Sequence, residues 1–228
     1  MKNKTASRTA VPKAKVLLID DHPIMREGLA RRINHEADME VCAEAGTAHE
    51  ALEAVAQTKP DIAIVDISLG ESHGLELIKD IKARYPKLAM LAFSMHDESL
   101  YAERILHAGA RGYVMKQTPP PAVLGAIRQV LAGEVYLSAE MTRRLVDDMV
   151  RPQRSKKAAT PAERLTDREY EIFDLIGRGY QTTEIAHRLR LSPKTISSHR
   201  ENIRRKLGLA TSAALLRQAI QCAHDSGA

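Results

Sequence analysis

Five short apolar runs, VLLID, MEVCAEA, IAIVD, MLAFS and GYVMK, recur along the first half of the chain, and each is followed by a segment with helical spacing. Those segments are HPIMREGLARRI, AHEALEAVAQ, GLELIKDIKARY, ESLYAERILHAG and AVLGAIRQVLAG. Strand-like runs that alternate with helices predict βα units, and continuous apolar strands predict a parallel sheet covered on both faces. The fold class expected is therefore α/β, doubly wound, with five parallel strands. Four of the runs end on polar residues: Asp20 and Asp21, Asp66, Ser94, and Lys116. The carboxyl ends of parallel strands share one edge, and ligands of such sheets bind in the crevice outside it. Three carboxylates, a hydroxyl and an ammonium gathered there suit a hard divalent cation together with a phosphoryl group.

This alternation accounts for only part of the 228 residues. We place the α/β domain at 15–132, after an arm over 1–14 that is basic, polar and expected to be disordered. A linker containing one short amphipathic helix, Leu137 to Val150, is placed at 133–164, and a second domain at 165–228. The linker sequence RPQRSKKAATPAER is basic and rich in helix breakers. Within Lys15 to Ala132 there are 13 Lys and Arg against 17 Asp and Glu, so the first domain is acidic although the whole chain carries +5. The remainder is basic, which suits nucleic acid without deciding for it. Met1 to Lys15 has no apolar stretch of the secretory kind, and no run approaches the roughly 18 apolar residues of a membrane span. A cytoplasmic protein with no membrane partner is expected. Cys42 and Cys222, the only cysteines, support neither a disulfide framework nor a zinc site and are expected to pack as small hydrophobes.

The second domain holds no strand candidate and is expected to be all-α, with four helices. Thr166 to Glu169 has the Thr-x-x-Glu capping-box pattern, and Gly177 and Gly179 should end the helix that it opens. A second helix is expected from about Thr182 to Arg190. Ser192 and Pro193 supply an N-cap and a first-turn proline for a third, which should end at Gly208. Thr211 or Ser212 starts the fourth. The second and third helices, joined by a short turn around Leu191, form a helix-turn-helix whose second member should enter the DNA major groove. On that member Ile196, His199, Ile203 and Leu207 share the inward stripe. Lys194, Ser197, Ser198, Glu201, Asn202 and Arg205 face outward.

The positions of Asp20, Asp21, Asp66, Ser94 and Lys116 resemble the receiver domain of two-component response regulators. The segment from Leu165 to Leu209 resembles the LuxR-type helix-turn-helix of the nitrate and nitrogen-fixation regulators, the NarL/FixJ family. The resemblance implies that Asp66 accepts a phosphoryl group from a sensor histidine kinase. It implies Mg2+ held by Asp20, Asp21, Asp66 and the Ser68 carbonyl, and phosphoryl oxygens met by Lys116 and Ser94. Ser94 and Tyr113 would be the switch residues. DNA contacts would come from Lys194, Thr195, Ser197, Ser198, Glu201, Asn202 and Arg205, with Arg200 and Arg204 adding attraction to the phosphates. A homodimer through the fourth helix, SAALLRQAIQCA, would bind double-stranded promoter DNA. Two features depart from the usual pattern: Leu69-Gly70 and His73-Gly74 after the phosphoacceptor, and Gln117 after Lys116. His22 and His96 border the crevice and are expected to pack or face solvent, not to act as acid or base.

The function expected is transcription regulation controlled by phosphorylation, not an enzyme activity. One alternative is a DNA-binding regulator that needs no phosphorylation, motivated by the loop from Gly70 to His73. Another is a phosphatase of the haloacid dehalogenase type, which also uses a nucleophilic aspartate and Mg2+; it lacks the Asp-x-Asp spacing here and leaves the helix-turn-helix without a role.

Overall fold

The structure, a computed structural model, describes residues 12–69, 72–96, 98–150, 164–189 and 191–226. Most of the basic arm, Gly70, most of the linker sequence RPQRSKKAATPAER and Arg190 thus lie outside the described residues. The first half folds as β1 (Ala14–Ile19), α1 (Pro23–Asn34), β2 (Met39–Ala45), α2 (Ala48–Thr58), β3 (Ile62–Asp66), a two-strand pair β4 (Ser68–Leu69) and β5 (Ser72–His73), α3 (Gly74–Arg84), β6 (Ala89–Ser94), α4 (Glu98–Ala108), β7 (Tyr113–Met115) and α5 (Pro120–Leu131). The five long strands form one sheet in the order β2-β1-β3-β6-β7, and every pairing in it is parallel. The chain reverses its direction of winding between β1 and β3, so the crevice opens at their carboxyl ends.

Alternation of side chains divides the core between the two faces of the sheet. Val16, Leu18, Ile62, Ile64, Leu91 and Phe93 pack under α1 and α5 with Ile33, Val123, Ile127 and Val130. Leu17, Ile19, Ala63, Val65, Met90 and Ala92 face α2, α3 and α4. Burial on both sides explains why the strands read as unbroken apolar runs. The antiparallel pair β4–β5 was not foreseen; it folds the segment after Asp66 back upon itself. Beyond α5, Tyr136 bridges to Gly112 beside β7, and α6 (Ala139–Val150) buries Met141.

The second half contains α7 (Asp167–Gly177), α8 (Thr182–Arg188), α9 (Pro193–Leu207) and α10 (Ser212–Ser226). The caps are those expected from the sequence. Thr166 and Glu169 make the reciprocal capping box of α7, the Ser192 side chain accepts from Thr195 N at the start of α9, and Gly208 ends α9 in the left-handed region. Gly177 lies where α10 crosses α7; a β-carbon there would overlap the Ala219 carbonyl. Among the described residues no helix is long and apolar enough to cross a membrane.

Candidate phosphoryl site and nucleic-acid interface

Asp66 terminates β3 and is 1% exposed. Its Oδ1 accepts from the backbone N–H of Ser68 at 3.0 Å, and its Oδ2 lies 2.7 Å from Lys116 Nζ. The same ammonium is 2.6 Å from Asp20 Oδ2, so Lys116 spans two of the three carboxylates. Burial pushes the Asp66 carboxyl up to about 6; Lys116 opposes the shift and the charge of Asp20 adds to it. Asp21 stands beside them with His22 Nδ1 2.7 Å from its Oδ1.

Asp20, Asp21, His22 and Asp66 each place one ligand atom within a span of 4.8 Å. Asp20 Oδ2 and Asp21 Oδ1 are both buried, the first facing the Lys116 ammonium and the second the His22 ring. Buried carboxylate oxygens of this kind fit a divalent cation, and an oxygen-rich donor set suits Mg2+ better than a thiophilic metal. Ser94 ends β6, is fully buried, and accepts through Oγ from the His96 N–H at 3.1 Å. Tyr113, 1% exposed, has its ring inside and donates from its hydroxyl to the His96 carbonyl at 2.9 Å. All five strand-end residues thus lie at one sheet edge, together with Ser68 and Tyr113.

Two residues at this edge were not expected to have such roles. Gly74 opens α3 where a β-carbon would overlap the Asp66 carbonyl oxygen and crowd Ile67, so only glycine lets α3 approach Asp66 so closely. The His73-Gly74 pair, read from the sequence as a departure from the usual pattern, thus keeps the glycine that this approach requires. His96 was expected only to pack or face solvent. Its Nε2 is 2.9 Å from Ser68 Oγ and 3.1 Å from Glu171 Oε1 of α7, so it meets the second half of the chain. The sequence offered a weak hint for Gly74 and none for the pairing of His96 with Glu171, which is 75 residues away.

On α9, Ile196 and Ile203 are fully buried and His199 and Leu207 partly so, which is the inward stripe expected. Burial and the nearby Arg168 lower the affinity of the His199 imidazole for a proton. Lys194, Ser197, Ser198, Glu201 and Arg205 are exposed, while Thr195, Asn202 and Arg200 are partly so. Arg204, expected to attract phosphates, is engaged otherwise. Its guanidinium binds Glu201 at 2.6 and 3.1 Å and the carbonyls of Leu209 and Ala210. Glu201 is thus held by its own helix, and Arg205 donates to Asn202 at 3.0 Å.

Fold and site define a receiver-type module joined to a helix-turn-helix module. The family model described as "Response regulator receiver domain" matches residues 16–128, and that described as "Bacterial regulatory proteins, luxR family" matches residues 163–219. The oxygen regulatory protein NreC of Staphylococcus aureus is 37% identical over 211 residues, which cover 91% of this chain and 97% of NreC. A LuxR-family two-component response regulator from Aurantimonas superposes with a TM-score of 0.57 at 35% identity, over 61% of this chain and 99% of that one. RcsB from Salmonella enterica serovar Typhimurium, bound to promoter rprA with the phosphomimetic BeF3-, superposes with a TM-score of 0.58 at 26% identity, covering 91% and 98%. The chain belongs to the LuxR-type response regulators of two-component systems, a family of transcription regulators and not of enzymes.

Proposed function

We propose that this regulator is switched by phosphorylation of Asp66 and binds promoter DNA as a homodimer. A sensor histidine kinase, or a small phosphodonor, presents the phosphorus atom. An Asp66 carboxylate oxygen attacks it, the bond from phosphorus to the donor atom breaks, and an acyl phosphate forms on Asp66. Asp20, Asp21, Asp66 and the Ser68 carbonyl would hold Mg2+. When bound, the metal neutralises charge between the anionic carboxylate and the anionic phosphoryl group. Lys116 turns from the two carboxylates to a phosphoryl oxygen, and the Ser94 hydroxyl donates to another. Both contacts favour the phosphorylated state specifically, as a population shift requires.

The observation that carries this reading is the buried Asp66 held between Lys116 and the Ser68 N–H, next to two further carboxylates. For DNA, Ser197, Ser198 and Glu201 form the exposed centre of the α9 face, flanked by Lys194, Thr195, Asn202 and Arg205. For the dimer, α10 leaves Leu216 and Ile220 at 41% and 38% exposure on one face, a pair that suits a twofold contact between recognition modules. The test compares wild type with Asp66→Asn for promoter binding, before and after treatment with acetyl phosphate and Mg2+. Wild-type affinity should rise about tenfold, within the usual range of allosteric coupling, and the variant's should stay constant. The exposed face of α9 also favours a second reading, DNA binding without phosphorylation. Equal wild-type affinity with and without donor would establish that reading and remove the switch.

A further inference from the structure

At the sheet edge opposite Asp66, a groove of about 640 Å3 opens where β3 and β6 begin. Its floor is apolar: Val55 in the last turn of α2 and Leu88 ahead of β6 are buried, and Pro60 and Tyr85 are half-buried. At the rim stand three exposed cations, Lys59, Arg84 and Lys87, and one carboxylate, Asp61. That carboxylate is already engaged, because its Oδ2 accepts from the backbone N–H of Lys15 at 2.8 Å. Among the described residues the three cationic side chains make no ion pair or hydrogen bond. A concave site of this volume, apolar inside with a few charged groups, has the composition of a small-molecule pocket.

Lys59 is the one described residue other than glycine with a positive φ, 47°. It follows α2 at the left-handed capping position, which usually goes to glycine because a β-carbon is strained there. Its side chain is exposed, so packing does not account for a lysine at this place, and a strained residue at the mouth of a pocket points to use of its charge. The carboxyl ends of α2 and α3 face the same groove. Each brings about half a negative charge, so three full cations against two helix ends and Asp61 still leave the rim positive by about one charge. This surplus stands on a domain that is acidic as a whole. We propose that the groove binds a small amphipathic carboxylate, its apolar body on Val55, Tyr85 and Leu88 and its anionic end among Lys59, Arg84 and Lys87. None of the exposed large apolar side chains of the described residues lies at this rim, so the apolar surface is reached by a ligand that enters the groove and not by a flat protein face. The site is independent of the role given to Asp66, which ends the same strand that Pro60 and Asp61 lead into.

The experiment titrates the full chain with decanoate and follows the backbone amides by NMR. Shifts should centre on Val55, Lys59, Tyr85 and Leu88 and saturate with a Kd of about 1 mM, the scale set by the number of ligand atoms. Lys59→Gly should weaken binding about fivefold, the upper end for one exposed ion pair, without lowering the melting temperature, since glycine adopts this φ freely. The double variant Arg84→Gln, Lys87→Gln alters only exposed side chains and should weaken binding at least as much; it decides the matter if Lys59→Gly melts lower than wild type. Decyltrimethylammonium, with a similar apolar chain and the opposite charge, should bind more weakly than decanoate. Equal affinity for the two amphiphiles would overturn the charge assignment and the proposal with it. Shifts centred instead on Met25, Leu29 and Phe93, which line a second groove at the other edge of the sheet, would overturn it as well. So would the absence of any shift, or unchanged affinity in both the single and the double variant.

Discussion

A methyl group at position 74 would overlap the backbone oxygen of Asp66 and press on the Cα of Ile67. Neither atom belongs to a flexible side chain, so the strain cannot be relieved by a rotamer change. Overpacking of this sort costs about 1–3 kcal/mol, and the contact with rigid backbone places Gly74→Ala near the upper end. Thermal unfolding of the variant should begin at lower temperature, and Asp66 in the surviving folded protein should accept less phosphate from acetyl phosphate, because α3 pushes β3 out of register with Lys116. Unchanged values for both would show that β3 and α3 separate more easily than their contact implies. The visibility of residues in the sequence follows the same physics. Asp20, Asp66 and Lys116 are legible because a charge at the end of an apolar strand is conspicuous. Gly74 is nearly silent, because its role is an approach between backbones that no side chain reports.

Elements were legible where their signals are local. The Thr166–Glu169 box, Ser192-Pro193 and Gly208 each satisfy or terminate backbone groups within one turn, so spacing alone locates α7 and α9. The β4–β5 pair consists of two-residue strands, too short for any periodicity to show. Arg204 is a further case. Its place on α9 suggested contact with phosphates, but its bonds to the Leu209 and Ala210 carbonyls make it a tie between the end of α9 and the approach to α10. For α10, the sequence SAALLRQAIQCA carries many apolar side chains on a small module, and the consequence is testable. Leu215 and Ala219 are buried against the module, while Leu216 and Ile220 point away. Leu216→Glu should leave the module's melting temperature close to wild type, since the side chain is solvated. On an inverted repeat the phosphodonor-treated protein should lose about tenfold or more in affinity, the scale of one truncated hot spot, with little loss on a single half-site. Equal losses on both DNAs would place Leu216 in the fold of the module and remove α10 as the dimer contact.

At the scale of the whole molecule the question is what holds the two modules together. Alternation and caps locate each module in the sequence, but nothing in either predicts their contact, because the partners are brought together only by the tertiary fold. Beyond Glu171, the interface pairs Asp167 with Lys79 at 3.0 Å and with Arg104 at 3.1 Å. Arg104 also donates to the Leu165 carbonyl and lies over the Tyr170 ring. Tyr101 of α4 stands edge-on to Tyr170, yet its hydroxyl is buried and has no hydrogen-bond partner among the described residues. Burial pushes that phenol well above its ordinary range, so it stays neutral, and an unsatisfied group of this type costs about 1–3 kcal/mol. The interface thus joins ionic contacts to an apolar contact that leaves one phenol unsatisfied. Lys79 is nearly half exposed, so salt reaches its ion pair; the Debye length falls from about 10 Å at 0.1 M to about 3 Å at 1 M. Sodium chloride raised over that range should enlarge the radius of gyration of the unphosphorylated chain, and Asp167→Asn should reproduce the enlargement at low salt. Sodium sulfate strengthens apolar burial while it screens charge. At matched ionic strength it should open the molecule less than chloride does. A radius that shrinks in both salts would assign the junction to the Tyr101–Tyr170 contact and not to its charges.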